Sequence, residues 1–464
     1  MIPLPFLKDK TIAVLGLGKT GEATVDALLG SGARVVVWDD NMATRAAFSA
    51  AHPDHIVVEP PAQWLWDSID LVVASPGLPY THPAPHEGIR LAQEHGVEIV
   101  GDIELLYRSC PDATYIAITG TNGKSTTTSL IAHILESAGK TVQVGGNLGT
   151  PALSFTALEA DGVYVLELSS YQLDLVRTTH FDVSVLLNFS PDHLDRHGDM
   201  AGYIAAKCHI FDRQERNDVA IIGIDDAASE SLCRELIAAG QQRVMPIMTT
   251  QTSSKGIWVK DATLHNPFAS PEVTYDLTPI VSLQGEHNHQ NAAAAYAACW
   301  SVGLPHEAIT QGLSTFPGLD HRMQFIAEYQ GVRYINDSKA TNADAAEKSL
   351  KTFDRIHWII GGVAKSGGIE PLAKYFPKIV HAYLIGDAQE AFANTLEGHV
   401  SYSRCHTLEN AFGQAAANAK EGEVVLLAPA CASFDQFKSF EFRGRAFADL
   451  VRAYIHQKGR VSAV

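Results

Sequence analysis

Short runs of β-branched and other apolar residues alternate with longer Ala- and Leu-rich stretches along most of this chain. That rhythm restricts its architecture more than any other feature. The runs include TIAVLGLG (11–18), ARVVVWDD (33–40), IDLVVASPG (69–77), TYIAITG (114–120), GVYVLELSS (162–170), VSVLLNFS (183–190) and VAIIG (219–223). Further along come RIHWIIGG (355–362), HAYLIGD (381–387) and EVVLLAPA (423–430). Unbroken apolar runs of this length, closed by Gly, Ser or Asp and followed by helical sequence, predict strands covered on both faces. Their alternation with helices predicts an α/β chain with mainly parallel sheets. A length of 464 residues leads one to expect about three domains. DIELLYRSCPDA (102–113) and the Gly- and Pro-containing GLSTFPGLDH (312–321) look like joints, which divides the chain into 1–102, 103–317 and 318–464. Between about 240 and 280 short polar, β-like pieces predict a small antiparallel insert.

The charge balance excludes some partners. With 35 basic and 52 acidic side chains the net charge is −17, so the molecule repels polyanions and a general nucleic-acid-binding face is not expected. One Gly-rich loop with a few basic residues can still reverse the field locally for a small anion. The six cysteines are scattered without a CxxC pair, which reads as reduced thiols in a cytoplasmic protein. The N-terminus MIPLPFLKDK has no basic lead-in to its short apolar stretch, and no run is long enough to span a membrane. A soluble, monomeric cytoplasmic protein is the expectation.

Two Gly-rich turns stand out. Gly16, Gly18 and Gly21 form G-x-G-x-x-G between a strand and a helix, where backbone N–H groups can approach a diphosphate, and Asp39 ends the next strand where a carboxylate can meet a ribose. This pattern alone does not separate NAD, FAD or a UDP-sugar from a plain tight turn. Ser75-Pro76-Gly77 ends another strand at the same sheet edge. The second turn, Gly120-Thr121-Asn122-Gly123-Lys124-Ser125-Thr126, follows one strand and opens a helix. Its amides can cradle phosphate, Lys124 can reach the outer phosphates, and Ser125 or Thr126 can ligate Mg²⁺. The spacing is shorter than the common phosphate loop, but the strand and helix around it favour ATP.

Glu167 closes a strand where a second acidic residue of a parallel-sheet ATPase is expected, able to hold Mg²⁺. His193 follows the next strand, and Lys207 lies in a helical stretch. A bare ammonium is repelled by Mg²⁺, so the residues alone give Lys207 an ordinary surface role. Asn288 and Asn291 share a helix face near a helix start, where capping is the plain alternative. Asp337, Ser338, Lys339, Thr341 and Asn342 crowd behind a strand, as in a ligand-facing loop.

The string GTNGKST resembles the Mur ligase family, ATP-dependent ligases that build the peptide stem of the bacterial cell wall, and their relative folylpolyglutamate synthase. The strings NDSKATN and ACASFDQFKSFEFRG resemble the branch of that family that adds D-glutamate. The resemblance runs essentially from end to end. It implies a Rossmann-like N-terminal domain for the UDP substrate, a central P-loop ATPase-type domain and a C-terminal Rossmann-like α/β domain for the amino acid. The implied substrates are UDP-N-acetylmuramoyl-L-alanine, D-glutamate and ATP with two Mg²⁺ ions. Lys124, Glu167, His193, Lys207 and Lys339 are the implied catalytic residues, with Lys207 carbamylated by CO₂ into an anionic metal ligand beside Ser125, Glu167 and His193. Gly18, Lys19, Thr20, Asp39, Ser75, Pro76, Gly77, Asn147, Ser169 and His193 are implied to meet the UDP substrate. Asn288, Asn291, Arg322 and Asp337 complete the implied ATP contacts, and Thr341, Lys365, Ser433 and Phe440 the amino-acid contacts. One departure is the run Val363-Ala364-Lys365, where the family often carries an acidic residue at or near the first position. A ligase for another amino acid, a nicotinamide-dependent dehydrogenase resting on GLGKTG, and a non-catalytic nucleotide sensor are the competing readings.

Overall fold

The computed structural model describes residues 1–464 except 53–55, 148, 365–366 and 462–464, together with the side chains of 459–461. The predicted rhythm produces three separate, mainly parallel sheets. The first holds β1 (Thr11–Leu15), β2 (Arg34–Trp38), β3 (Ile56–Val58), β4 (Leu71–Ala74) and β5 (Ile99–Val100), in the order β3-β2-β1-β4-β5 and parallel throughout. The second holds β6 (Thr114–Thr119), β7 (Val142–Gly146), β8 (Val163–Glu167), β9 (Val183–Leu186), β10 (Val219–Gly223), β11 (Arg243–Met248), β12 (Ile257–Lys260), β13 (Thr263–Asn266) and β14 (Val273–Asp276). Its order is β14-β13-β12-β11-β10-β9-β6-β8-β7, and only the β12–β13 and β13–β14 pairs are antiparallel. The antiparallel insert expected between 240 and 280 is met only in part: β11 and β12 join the central sheet in parallel, and the antiparallel pairs begin at β12. The third holds β15 (Gln324–Tyr329), β16 (Val332–Asn336), β17 (Ile356–Gly361), β18 (Ile379–Ile385), β19 (Tyr402–His406) and β20 (Val424–Leu427), ordered β15-β16-β20-β17-β18-β19 with one antiparallel pair at β15–β16.

Every residue of β8, β10, β17 and β20 is buried, as expected for strands covered by helices on both sides, even where β8 carries Glu167 and β17 His357. The chain folds as two compact units, Met1–Leu277 with Glu286–Thr315, and Thr278–Gly285 with Phe316–Val464. The first unit carries the first two sheets over one apolar core that runs from Ile12 and Val14 to Ala220 and Ile222.

Glu104, fully buried in the helix Asp102–Ser109, joins the two halves of that unit. Its carboxylate accepts the N–H groups of Arg177, Thr178 and Thr179 and both threonine hydroxyls, and pairs with Arg108 at 2.8 Å. Burial by itself would raise its pKa, but the threonine and backbone donors overcome that and hold it at about 2. Because the folded value lies below the ordinary 4.5, this stabilisation is complete above about pH 4.5 and lost as pH falls toward 2. Glu104→Gln is expected to cost about 3 kcal/mol of stability at neutral pH. Denaturant melts at pH 7 and pH 3 check this, since the gap between variant and parent should narrow at the lower pH.

Candidate active site

Parallel sheets gather loops at the C-terminal ends of their strands, and a crevice opens where successive strands depart to opposite sides. β6 is such a strand, with β8 on one side and β9 on the other. The turn after it runs through Gly120–Gly123 into the helix Lys124–Ser137. Gly123 has φ +87°, and a Cβ there would lie 2.4 Å from Asn291 Oδ1, so both conformation and space demand glycine.

The loop is held from the exit of β9. Thr121 N–H donates to Asn188 O, and Asn122 N–H donates to Asn188 Oδ1 at 2.9 Å. Thr121 Oγ1 contacts the Tyr203 hydroxyl at 3.0 Å. Neither Asn188 nor Tyr203 was singled out in the sequence. The available signals are a polar residue closing an apolar strand, and a tyrosine one helical turn before Lys207. Thr127 Oγ1 donates to Asn291 Oδ1, and Asn291 Nδ2 to Asn288 Oδ1 at 3.1 Å. Asn288 and Asn291 are buried inside the helix Glu286–Ser301, so they do not cap it but brace the phosphate loop's helix.

Lys124 Nζ donates to the carbonyls of Gly120 at 2.8 Å and Thr121 at 3.0 Å. Ser125 is buried beside it and Thr126 half-buried. Lys207 has no surface role: only 2% exposed, it donates to Thr119 Oγ1 and Gly120 O, and its ammonium lies 4.8 Å from the Tyr203 ring centroid. Burial, then the nearby Lys124 charge, lower its pKa to about 7 against weaker opposition from Asp192 and Glu167. Glu167, equally buried, accepts from Asn147 Nδ2 at 2.7 Å through Oε1, while Oε2 has no hydrogen-bond partner. An orphaned buried carboxylate oxygen is costly, and a divalent cation satisfies it. Ser169 caps a short helix in a reciprocal pair with Gln172. His193 is half-exposed, has a left-handed backbone at φ +52°, and sits 3.3 Å from Asp192.

In the first sheet the chain reverses between β1 and β4, and both predicted turns border that crevice. Gly21 is dictated by contact, since a Cβ there would lie 1.9 Å from Gly16 O. Gly18 and Gly77 have open space where a side chain would be, leaving both turns accessible to a ligand. Lys19 and Thr20 begin the helix Lys19–Gly30. Asp39 braces the turn, accepting Leu17 N–H at 2.7 Å and Asn41 N–H at 2.8 Å, and Ser75 Oγ donates to Gly16 O across it. Pro76 completes the turn that Leu78 N–H closes on Ser75 O.

In the second unit the loops after β16, β17 and β20 share one sheet edge. Lys339 Nζ lies 3.9 Å from the Phe440 ring centroid, and Thr341 N–H donates to Lys339 O. Ser433 is buried in the loop after β20. Asp337 points inward, accepting from Met323 N–H and Ser349 Oγ, and burial raises its pKa to about 6. Arg322 follows a turn closed by its own N–H on Leu319 O. Val363 forms a bridge with Ala432, while Lys365 lies outside the described residues. The buried Arg443, missed in the sequence, ties Ser338 to Cys431 through 2.9–3.0 Å bonds.

A strand–loop–helix phosphate turn, with a buried acid closing the adjacent strand, defines an α/β phosphate-loop protein. The chain belongs to the Mur ligase family: residues 118–299 match the Mur ligase middle domain, 321–431 the Mur ligase, glutamate ligase domain, and 10–101 the Mur ligase MurD-like, N-terminal domain. Among its relatives is a protein of Paramagnetospirillum magneticum named UDP-N-acetylmuramoylalanine--D-glutamate ligase. The two are 48% identical over 98% of this chain and 99% of that one. A protein of the same name from Caulobacter vibrioides is 46% identical over the full length of both. In fold, the chain is similar to a MurF of Acinetobacter baumannii (TM-score 0.59, 18% identity, 95% and 93% covered). It is likewise similar to the UDP-N-acetylmuramate-alanine ligase of Thermotoga maritima (TM-score 0.57, 18% identity, 96% and 99% covered).

Proposed function

We infer that this chain is an ATP-dependent ligase that joins D-glutamate to the carboxylate of UDP-N-acetylmuramoyl-L-alanine in peptidoglycan precursor synthesis, releasing ADP and phosphate. The observation that carries the inference is full-length identity of 46–48% to proteins named for that reaction. The assignment gives 1–102 to the UDP substrate, 103–317 to ATP and 318–464 to the amino acid.

A carboxylate is a poor electrophile toward amines, so it first attacks the γ-phosphate of ATP and becomes an acyl phosphate. The amine of D-glutamate then attacks the acyl carbon, and phosphate leaves as the amide forms. The first step brings together two anions, so positioning and charge neutralisation dominate its barrier. Lys124 supplies one positive charge from the start of the phosphate-loop helix. Ser125 and the unpartnered Glu167 oxygen suit one Mg²⁺, and His193 with a carbamate on Lys207 suits a second; when bound, these ions neutralise phosphate oxygens. The carbamate forms when the neutral Lys207 amine attacks CO₂ and releases a proton, and a pKa near 7 keeps neutral amine available. The open faces of Gly18 and Gly77, beside Lys19, Thr20, Asp39, Ser75 and Pro76, suit the UDP diphosphate, with Asn147, Ser169 and His193 toward its acyl end. Lys339, Thr341, Ser433 and Phe440, with Lys365, are read as the amino-acid contacts. The reading assigns the reaction to the cytoplasm, which supplies ATP. Among the described residues no helix is long and apolar enough to cross a membrane.

The test is phosphate release by purified protein with ATP, Mg²⁺ and UDP-N-acetylmuramoyl-L-alanine against a panel of amino acids. D-Glutamate is expected to stimulate release about 100-fold more than L-alanine or diaminopimelate, because a buried polar site rejects a substrate that leaves its groups unpaired. Preference for either of the others would overturn the assignment.

A further inference from the structure

Arg196 performs work that the reaction scheme above leaves out. It belongs to the short helix Leu194–His197, three residues after His193, yet its side chain reaches the first sheet's loop. Its guanidinium donates to Gly77 O at 2.7 Å and Leu78 O at 2.5 Å, holding the last carbonyl of the Ser75-Pro76-Gly77 turn and the one that follows it. The same guanidinium lies 4.4 Å from the Tyr171 ring centroid, and that ring is 5.1 Å from the ring of His193. Arg196 N–H donates to His193 O, so the backbone of the His193 loop is part of the same construction. Two further contacts run alongside. Arg177 donates to the Tyr80 hydroxyl at 3.0 Å, and the His82 ring lies so near Gly198 that a Cβ there would come within 3.0 Å of it.

We propose that Arg196 is a positioning residue that couples the UDP-substrate turn to the His193 loop, so that occupation of either site favours occupation of the other. This rests on the function proposed above. A planar fork bonded to two adjacent carbonyls transmits a shift of the turn directly, because neither bond can lengthen without losing a charge-assisted contact. Tyr171, packed between Arg196 and His193, carries the shift to the imidazole. Such a link is a coupling free energy between two ligands and therefore acts equally in both directions.

The experiment is calorimetric titration of UDP-N-acetylmuramoyl-L-alanine with and without Mg²⁺ and adenosine 5′-(β,γ-methylene)triphosphate. It uses the full chain as wild type, Arg196→Gln and Arg196→Lys. Wild type is expected to bind the UDP compound about tenfold more tightly when the nucleotide is present. Arg196→Gln should reduce that ratio to about 1–2 while its affinity for nucleotide alone stays unchanged, and Arg196→Lys, which keeps the charge but not the fork, should fall between. A residue that only supports the fold would lower stability and leave the ratio intact. The wild-type ratio in Arg196→Gln overturns the coupling, as does a wild-type ratio of one. If Arg196→Gln does not fold, Arg196→Lys decides by the same ratio. Failure of wild type to bind the UDP compound at all overturns the functional reading itself, and the coupling with it.

Discussion

Lys124→Ala is expected to lower ATP-dependent phosphate release by about a thousandfold or more, the scale on which a single charge at a phosphoryl-transfer site acts. The reason is local. Lys124 is the first residue of the phosphate-loop helix, and its ammonium already lies against the Gly120 and Thr121 carbonyls that bound the loop. The loop itself does not depend on it, since Asn188 holds Thr121 and Asn122, and Asn291 holds Thr127. The variant should therefore fold, and it should bind UDP-N-acetylmuramoyl-L-alanine within about twofold of wild type, because that ligand's proposed turns belong to another sheet. A second consequence follows from electrostatics. Lys124 depresses the Lys207 pKa, so its removal should raise that pKa and reduce the neutral fraction of Lys207 at pH 7. Phosphate-release assays beside calorimetric titration of the UDP substrate check both halves, and retained turnover would refute the role given to Lys124.

Lys207→Ala should be close to inactive, with a loss also of about a thousandfold, and added formate or acetate should restore part of the rate by occupying the place of the carbamate. Lys207→Met separates chemistry from stability. A lysine whose pKa is lowered by burial is a group whose charged form the folded state disfavours, so an apolar chain of similar length should keep or raise the melting temperature while abolishing activity. In wild type, the neutral amine needed for carbamylation becomes scarce as pH falls below about 7. Activity in CO₂-depleted buffer should therefore drop toward acid pH and recover on addition of bicarbonate. Wild-type rates in Lys207→Ala, or no response of wild type to CO₂ depletion, would remove Lys207 from the site.

Much of the architecture was legible because strand signals are local. VVLL is apolar throughout and IHWIIG nearly so, and they became the buried β20 and β17, while the later pieces of 240–280 became the antiparallel end of the central sheet. VQVGG was not legible as β7, because a glutamine and two glycines hide a strand that β8 recruits by pairing. Residues 278–285 read as part of the central domain but pack with the second unit, since an apolar pattern says that a segment is buried and not against what. The Glu104 staple was equally hidden, because its partners at Arg177, Thr178 and Thr179 are more than 70 residues away.

The chain's local grammar determined the α/β class, the glycine turn between β6 and its following helix, and the buried strands, because backbone conformation and apolar periodicity act over a few residues. Tertiary structure decided that Lys207 is a buried neighbour of the loop, that Glu167 keeps one oxygen without a partner, and that Arg196 grips the Gly77 turn. The Lys207 and Arg196 contacts join residues 87 and 119 positions apart. Desolvation and charge proximity, which set their chemistry, exist only once the sheets have brought them together.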